Sequence, residues 1–434
     1  MPPSCYLLAI PLPERPGSTL IFSTRKGSSC LVPDALWQRL CQGEVADPAD
    51  PTIATLARLG LLVADPTAER TAVLNLIPTL NRLNPGVTVA VVLGMACNFA
   101  CRYCYEGKLK GRLAMNDQTA AALTGFVASR LTPAKDRLVV DFYGGEPLLY
   151  LPRLKKIAAS LQTLASQRGV RYSFTLVTNG SRLRRPLVQE LVDLGLSAVK
   201  VTVDGPAAIH DRLRPYRSGR GSLTRILDNL ADCWDLVRIG VATNYTADTY
   251  QAFPALLDTL QSRGLGPGQL AQLSCHPAVR AIGRHALATA CGFSSTDEPW
   301  LVPAALTLHQ AVTAAGYRTP QPGPAPCMAD LDDAFTVHAD GTLYKCPGLI
   351  GHSQFAVGDL WQGFRDVATV YDTGRLARAT DCHDCLYLPL CLGGCRFVHF
   401  QRTGSIQGLD CQKAFLSATL PDLLHQQVAA QTRS

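Results

Sequence analysis

Short apolar runs alternate with longer amphipathic segments through the middle of the chain, between about residues 87 and 279. The runs have the length of buried strands, and the segments between them repeat apolar residues at i, i+3 and i+4, as one face of a helix does. Strands and helices that alternate in this way form parallel sheets with right-handed crossovers. Six such units predict an α/β fold, an open, TIM-like partial (β/α)6 barrel. The predicted strands are residues 87–93, 138–143, 172–177, 198–203, 239–244 and 271–276, and the predicted helices are residues 117–131, 154–167, 186–194, 223–236 and 252–263.

A different pattern occupies the first eighty residues. Alternating apolar positions on either side of a turn predict two paired strands within residues 20–32. Helices are predicted to follow at residues 35–41 and 52–59, the second with Asp50 at its start. Residues 66–85 then form a partly helical connector. This order predicts a small α+β domain in front of the barrel.

Composition places the chain among ordinary globular proteins. Its 434 residues are enough for two or three domains, and 47% of them are apolar and 17% charged. We expect the N-terminal domain to cover residues 1–80 and the barrel residues 81–310. A cysteine-rich domain is expected at residues 311–434.

Several classes of protein are not supported by these features. The first residues lack the charged and apolar regions of a signal peptide, and no apolar stretch reaches the roughly eighteen residues needed to span a membrane. Without export, the 16 cysteines favour metal ligands over disulfides. The net charge of +7 is spread along the chain instead of forming the basic stripe of a nucleic-acid-binding protein. We therefore expect a cytoplasmic protein with no nucleic-acid or membrane partner.

Three cysteines, Cys97, Cys101 and Cys104, occur on one short loop directly after the first barrel strand. Iron–sulfur clusters normally take four protein thiolates, so a loop with three indicates that something else completes the site. This spacing resembles that of the radical S-adenosylmethionine (SAM) enzymes. The resemblance implies a [4Fe–4S] cluster whose fourth iron is chelated by SAM. It also implies a 5′-deoxyadenosyl radical that abstracts hydrogen from carbon.

Residues that follow other barrel strands extend the resemblance. Gly144, Gly145 and Glu146 resemble the family's Gly-Gly-Glu segment, which approaches the methionine end of SAM, with Glu146 accepting from its ammonium group. Thr202 stands where the family has a serine that contacts the SAM carboxylate, and Arg214 is a candidate second contact. Helix capping and a surface salt bridge are the structural alternatives for Thr202 and Arg214.

Seven further cysteines lie in the last quarter of the chain. Cys-x2-Cys pairs alone would suggest a zinc ribbon. The complete order, however, resembles the SPASM domain of radical SAM enzymes that modify peptides and proteins, and this resemblance implies two auxiliary [4Fe–4S] clusters. One cluster would be held by Cys382, Cys385, Cys391 and Cys411, and three corners of the other by Cys327, Cys346 and Cys395.

The incomplete set of three cysteines suggests a reaction. Sulfatase-maturing relatives supply a fourth cysteine just upstream, where residues 317–326 contain none. Either Cys275 or Cys291 completes the cluster, or the position is left open for a substrate thiolate, because a metal removes the proton from a bound thiol. The second alternative predicts formation of a thioether between a cysteine sulfur and a carbon atom.

Other reactions stay open on the same scaffold. These are carbon–carbon cross-linking, epimerisation and formylglycine formation, although Pro347 occupies the position after Cys346 at which sulfatase maturases have an acidic residue. A non-catalytic electron carrier and a zinc scaffold are alternatives from a different class of protein. A radical SAM enzyme would form 5′-deoxyadenosine from SAM, whereas an electron carrier or a zinc scaffold would not.

The resemblance also implies partners. The order of strands and helices in residues 1–80 looks like the winged-helix domains that bind leader peptides as an added edge strand, although a plain packing domain has the same pattern. We therefore expect a ribosomally made precursor peptide with a leader, in a maturase similar to the geopeptide type. An electron donor such as flavodoxin or ferredoxin is expected to reduce the cluster.

Overall fold

The computed structural model describes residues 1–44, 47, 49–280, 287–289 and 298–431. Its strands are β1 (Leu7–Pro11), β2 (Ser18–Ser23), β3 (Ser28–Pro33), β4 (Gly86–Val92), β5 (Arg137–Tyr143), β6 (Arg171–Thr178), β7 (Leu196–Thr202), β8 (Arg238–Tyr245), β9 (Gln272–Arg280), β10 (Leu287–Thr289), β11 (Ala334–Val337), β12 (Leu343–Tyr344), β13 (Gly358–Asp359) and β14 (Gly363–Phe364). Its helices are α1 (Asp34–Cys41), α2 (Pro51–Arg58), α3 (Pro66–Leu74), α4 (Leu76–Leu83), α5 (Asp117–Arg130), α6 (Leu151–Gln167), α7 (Arg185–Asp193), α8 (Ala207–Leu213), α9 (Leu223–Ala231), α10 (Phe253–Ser262), α11 (Leu301–Ala314), α12 (Val367–Tyr371), α13 (Arg375–Arg378), α14 (Thr380–His383), α15 (Leu388–Cys391), α16 (Arg396–Thr403) and α17 (Lys413–Gln431).

The predicted barrel is confirmed. Strands β4 to β9 lie side by side in sequence order and all pair in parallel. Alternate side chains of β5 are fully buried, namely Leu138, Val140 and Phe142. The side chains between them line the interior of the barrel, where a cavity of about 400 Å³ remains. This inner wall is the part of the barrel that can accept a substrate.

Three strands of the sheet were not predicted. On the outer edge of β4, β11 from the cysteine-rich segment pairs in parallel, and β12 pairs with β11. Beyond β9, β10 pairs in the antiparallel direction. The sheet therefore has nine strands among the described residues. The cysteine-rich segment joins the barrel through shared backbone hydrogen bonds as well as through side-chain packing.

Two helical boundaries also differ from the prediction. Helix α9 ends at Ala231 and not at residue 236, because Cys233 and Leu236 bond to carbonyls three residues back in tighter turns. The connector is two helices, α3 and α4, which meet at Asn75. Neither difference moves the barrel strands.

The N-terminal unit contains the predicted strand pair, β2 and β3, with β1 added on the other side of β2. The carboxylate of Asp50 accepts a hydrogen bond from the backbone N–H of Thr52 (2.7 Å) and caps α2, as expected. One face of the sheet packs on α1 and α2. The opposite face, with Leu20 and Phe22, packs against α15 and α17 of the cysteine-rich segment. The N-terminal unit is thus docked on the part of the chain that carries the last cysteines.

The cysteine-rich segment is built mostly from short helices and turns, and α17 packs along α11. The carboxylate of Asp333 ties it to the barrel by accepting from Arg130 (Nε, 3.1 Å) and Lys135 (Nζ, 2.6 Å). None of the described helices combines the length and apolar character that crossing a membrane requires. The division into three domains at the predicted boundaries stays a prediction.

Candidate active site

The loop with the first three cysteines is held against the segment that follows α8. Backbone N–H groups of Ala100 and Arg102 donate to the carbonyls of Pro215 (2.9 Å) and Leu213 (3.0 Å). In return, Arg217 donates to the carbonyl of Asn98 (3.0 Å). These bonds fix the loop across the carboxyl ends of the barrel strands, which is where parallel barrels carry their chemistry.

The three thiols of this loop form one electrostatic group. The charges of Cys97 and Cys104 each interact with those of Cys101 and Lys110. Burial raises the pKa of Cys97, and it raises the pKa of Cys104 to about 11. Both are therefore thiols at neutral pH unless a metal removes their protons.

The cysteines are not arranged as ligands of a single ion. Within the described ranges, no three His, Cys, Asp or Glu side chains converge on one metal position. In a [4Fe–4S] cluster each thiolate binds a different iron, so the sulfurs of a cluster site do not converge in that way.

Gly144 and Gly145 form the turn after β5 and touch the backbone of the cysteine loop. Gly144 has a φ of +121°, and a Cβ on it would lie 2.7 Å from the carbonyl oxygen of Gly94. A Cβ on Gly145 would lie only 2.3 Å from the carbonyl oxygen of Ala96. The N–H groups of Gly145 and Glu146 donate to these two carbonyls (3.2 and 3.0 Å). The glycines are therefore needed for contact between the turn and the loop.

Glu146 is completely buried beneath this turn. Its carboxylate accepts from the Thr178 hydroxyl (2.7 Å) and from the backbone N–H groups of Leu148 (3.0 Å) and Asn179 (2.8 Å). Burial raises the pKa of Glu146, although these hydrogen bonds oppose the shift. In this structure the carboxylate joins the ends of β5 and β6. Its predicted acceptance from a cofactor ammonium stays a prediction.

An amide network links the cysteine loop to the end of β6. The Asn179 side chain donates to Asn98 Oδ1 (2.8 Å), and Asn98 donates to the Ser181 hydroxyl (2.9 Å). That hydroxyl donates in turn to Asn179 Oδ1 (2.7 Å). Sequence reasoning missed Asn98, for which the position directly after Cys97 was the available signal.

Arg214 lies in a buried polar network and not in a surface salt bridge, the alternative considered for it. Its Nη1 donates to the Tyr103 hydroxyl (2.5 Å), which itself donates to the Asp204 carboxylate. The side-chain amide of Asn244 donates to the Tyr103 hydroxyl (3.1 Å) and to Oδ1 of Asp204 (3.3 Å). Burial raises the pKa of Asp204, while Arg214 opposes the shift. Sequence reasoning missed Tyr103, an aromatic residue between two cysteines.

Two donors in this region have no hydrogen-bond partner in the part of the chain that the structure describes. One is Nε of Arg214, which is buried. The other is the hydroxyl of Thr202, a half-buried residue at the end of β7. Thr202 is the last residue of β7, and Arg214 directly follows α8 and contacts Tyr103 of the cysteine loop. Their free donors fit a carboxylate-bearing ligand.

His210 supports this network from below. Its Nδ1 accepts from the Asp204 backbone N–H (3.2 Å), and its Nε2 contacts the Ser222 hydroxyl (3.0 Å). That hydroxyl donates to the carbonyl of Arg214 (2.7 Å). Burial lowers the pKa of His210 from 6.5 to about 3, so the folded protein holds it neutral.

We expect this histidine to make stability depend on pH. Because the unfolded state binds the proton first, its contribution is complete above about pH 6.5 and falls by about 1.4 kcal/mol per pH unit as the pH drops towards 3. The measurement is the free energy of unfolding in urea at pH 7 and pH 5.5, compared with His210→Gln. The variant should lose less stability over this interval, and equal losses would contradict the assignment.

Four of the last seven cysteines lie close together. The charge of Cys391 interacts with those of Cys382, Cys385 and Cys411, so these four form one group. Burial raises the pKa of Cys391 to about 11.

The other set lies around two buried arginines. The charges of Cys327 and Cys395 both interact with that of Arg375, and Cys346 lies close to Tyr371, whose carbonyl binds Arg396. Cys275, considered as a fourth ligand, lies half-buried on β9 beside Tyr245. Cys291, the other candidate, lies outside the described residues.

Comparison with known proteins agrees with this geometry. Residues 91–260 match the model of the radical SAM superfamily. These residues therefore form a radical SAM domain, the domain of a superfamily of enzymes. The superfamily implies a [4Fe–4S] cluster and SAM.

Two curated relatives match parts of the chain. It is 27% identical to an Fe-coproporphyrin III synthase of Methanosarcina barkeri over 38% of each protein. It is 31% identical to a serine-type anaerobic sulfatase-maturating enzyme of Klebsiella aerogenes over 31% of this chain and 33% of that enzyme. The chain thus spans about a third of the length of these relatives.

Solved structures share the fold over a longer part. The structure of anSMEcpe with bound AdoMet and Kp18Cys peptide aligns with 80% of this chain over 100% of its own length, with a TM-score of 0.61 and 17% identity. The structure of Streptococcus suis SuiB bound to precursor peptide SuiA aligns with 95% of this chain over 99% of its own length, with a TM-score of 0.52 and 12% identity.

Proposed function

We propose that this chain is a radical SAM peptide maturase that forms a thioether bond in a ribosomally made precursor peptide. The observation that carries the proposal is the meeting of three groups at the carboxyl ends of the barrel strands. They are the loop with Cys97, Cys101 and Cys104, the turn of Gly144 and Gly145, and the buried Arg214 with a free Nε. Nothing in this arrangement is required by a simple electron carrier.

Each of these groups has a proposed part in binding SAM. The three cysteines hold the cluster, and SAM bound to it when reduced supplies the 5′-deoxyadenosyl radical. Arg214 and Thr202 donate to the SAM carboxylate, because each has a donor without a partner among the described residues. The glycine turn and Glu146 define the pocket for the methionine end. The amide network of Asn98 and Asn179 keeps the loop in position.

The barrel interior provides a place for a peptide side chain. Asp141, Thr175, Lys200, Ser274 and His276 line its cavity of about 400 Å³. Thr175 donates to Asp141, and Ser274 and His276 contact each other (3.1 Å). Lys200 forms no ion pair within the described residues. A polar wall of this kind suits a peptide segment better than an apolar metabolite.

The cysteine-rich segment is the proposed site of two auxiliary clusters, one with four cysteine ligands and one with three. With Cys275 packed beside Tyr245 and residues 317–326 without a cysteine, a substrate cysteine is the proposed fourth ligand of the second cluster. Thioether formation removes one hydrogen atom from carbon, the thiol proton and one electron, so the peptide loses two hydrogens in total. The hydrogen atom ends in 5′-deoxyadenosine.

The N-terminal unit offers a groove for the leader of the precursor. Strand β3 is an edge strand, and a cavity of about 380 Å³ lies between it and α2, lined by Val32, Leu36 and Leu56 among others. An extended peptide can add to such an edge and place alternate side chains in the groove. The structure of SuiB with a bound precursor peptide, a neighbour in fold, supports a peptide partner. Flavodoxin or ferredoxin is the proposed electron donor.

The test uses the full chain, reconstituted with iron and sulfide and reduced without oxygen. It is incubated with SAM and, one at a time, with leader-containing peptides that carry core cysteines and are encoded by small open reading frames near its gene. We expect 5′-deoxyadenosine and a peptide that has lost two hydrogens and one alkylatable thiol. The same peptide with its core cysteines changed to serine should gain no cross-link. Formation of 5′-deoxyadenosine without any change in the peptide would contradict the proposal.

Formylglycine formation is the second candidate, because the Klebsiella aerogenes sulfatase-maturating enzyme is similar over part of the chain. Sulfatase maturases are expected to have an acidic residue directly after the cysteine that corresponds to Cys346. Pro347 occupies that position here, and its side chain cannot take up a proton. The same experiment separates the two reactions. Formylglycine made from cysteine loses the sulfur atom from the peptide and gains an aldehyde, whereas a thioether keeps the sulfur.

A further inference from the structure

Two arginines are buried beside the set of three cysteines in the last part of the chain. The side chains of Arg375 and Arg396 are only 3% and 1% exposed. Burial raises the pKa of the Cys327 thiol, and the guanidinium groups of both arginines oppose that shift from close by. Cys395 directly precedes Arg396 and also lies close to Arg375. Arginine is almost never buried to this extent without an anionic partner.

Their partners in the protein are mostly neutral. Arg375 donates to the carbonyls of Gly408 and Gly394 (both 3.1 Å), and Arg396 Nε donates to the carbonyl of Tyr371 (2.9 Å). Within the described residues, Nη1 of Arg396 is buried and has no hydrogen-bond partner.

The one carboxylate between the two arginines is Asp330. It lies 2.7 Å from Arg396 Nη2 and 3.9 Å from Arg375 Nη2. Two other carboxylates of this region have partners of their own. Asp372 pairs with the exposed Arg378, and the buried Asp410 accepts from the Cys395 backbone N–H (3.1 Å) and lies 3.6 Å from Arg402. Two buried positive charges therefore share one buried negative charge.

A third cation lies close by and adds to the imbalance. Lys345, the residue before Cys346, is buried with its ammonium group held by the carbonyls of Leu331, Asp332 (3.3 Å) and Ala334 (2.5 Å). These carbonyls solvate the ammonium but do not neutralise it, and of the carboxylates near it Asp333 already pairs with Arg130 and Lys135 while Asp332 is exposed to solvent. Burying unbalanced charge is costly, so the arrangement requires a further anion.

This inference rests on the auxiliary cluster proposed for Cys327, Cys346 and Cys395. We infer that Arg375 and Arg396 supply positive charge beside that cluster and raise its reduction potential. A cluster bound by thiolates is anionic and becomes more so on reduction. Fixed positive charge therefore stabilises the reduced form, and net charge and hydrogen bonds are known controls of cluster potential. The raised potential makes the cluster a better acceptor for the electron that thioether formation releases. Both arginines are positioning residues because they act through the cluster.

The experiment is a redox titration followed by electron paramagnetic resonance. It uses the full chain with Cys97, Cys101 and Cys104 changed to alanine, so that only auxiliary clusters contribute signals. In Arg396→Gln or Arg375→Gln we expect the reduction equilibrium of one of the two clusters to shift about tenfold towards the oxidised form. For a one-electron couple this is about 59 mV. The potential of the other cluster should stay unchanged.

Two variants act as controls. Arg378→Gln removes the same charge from the same short helix, but its side chain is 66% exposed, so solvent should reduce its effect well below tenfold. Arg396→Lys keeps the charge and should keep the potential. If Arg396→Gln retains its iron with an unchanged potential, or if Arg396→Lys shifts the potential as far as Arg396→Gln, the inference is overturned.

The arginine variants also test the inference if they lose the auxiliary cluster. If the glutamine variants lose the iron and Arg396→Lys retains it, the charge requirement is supported. If the lysine variant loses the iron as well, the guanidinium has a structural role and the inference fails. Failure of the proposed auxiliary cluster would look different, because Cys327→Ala in the same background would then leave the iron content unchanged.

Discussion

Replacing Cys101 by alanine is expected to abolish formation of 5′-deoxyadenosine from SAM. The variant leaves two thiolates on the loop, and the site then cannot hold a cluster with three protein ligands. Iron content should fall by the four irons of one cluster, and the auxiliary clusters should stay. The measurements are iron analysis and mass spectrometry of the reduced, anaerobic enzyme incubated with SAM. No product above background is expected in the variant.

Cys41→Ala is the matched control, because Cys41 is exposed at the end of α1 and belongs to neither cysteine motif. It should keep wild-type iron content and wild-type activity. A Cys101→Ala enzyme that makes 5′-deoxyadenosine at the wild-type rate would remove these cysteines from the active site. A fully loaded wild type that makes none, even with the precursor present, would favour an electron carrier or scaffold.

The barrel was predictable from local pattern because its strands are apolar runs at regular intervals. Strand pairing between segments that are far apart in the sequence could not be predicted in this way. Strand β11 is only four residues long and pairs with β4 across more than two hundred residues of chain. Nothing in the short run Ala334–Val337 indicates that partner. Its place at the barrel edge depends on how the cysteine-rich segment packs as a whole.

The candidate site divides in the same way. The cysteine loop was predicted from its spacing, and the glycine turn from its resemblance to a radical SAM segment, because both are features of the local sequence. The burial of Arg214, Arg375 and Arg396 was not visible, since arginines are exposed in most proteins. Tyr103 and Asn98 acquire their partners only when the loop meets β6 and the segment after α8. Side chains that position others are therefore found from the structure.

Replacing Gly145 by alanine is the second change with a large expected effect. The new methyl group would lie 2.3 Å from the carbonyl oxygen of Ala96, so the turn and the cysteine loop must move apart. The hydrogen bonds from Gly145 and Glu146 to the loop would be strained. A displacement of about 1 Å at a reacting site costs about 10²-fold in rate, and overpacking costs about 1–3 kcal/mol of stability. We expect 5′-deoxyadenosine formation to fall by about this factor.

Gly125→Ala shows whether the effect is specific to the turn. Gly125 lies inside α5, and no described atom outside its own helix backbone comes within 4 Å of the position that a Cβ would take. Alanine there should stabilise the helix by about 1 kcal/mol and leave the activity unchanged. Measuring iron content and SAM affinity with the rate separates loss of the cluster from misplacement of the cofactor. Retained iron with weakened SAM binding is the expected result for Gly145→Ala, because the proposed function assigns the glycine turn to the SAM pocket and the cysteines to the cluster. Wild-type SAM affinity and rate in this variant would mean that the turn can relax away from the loop, and the pocket would then have to be assigned elsewhere.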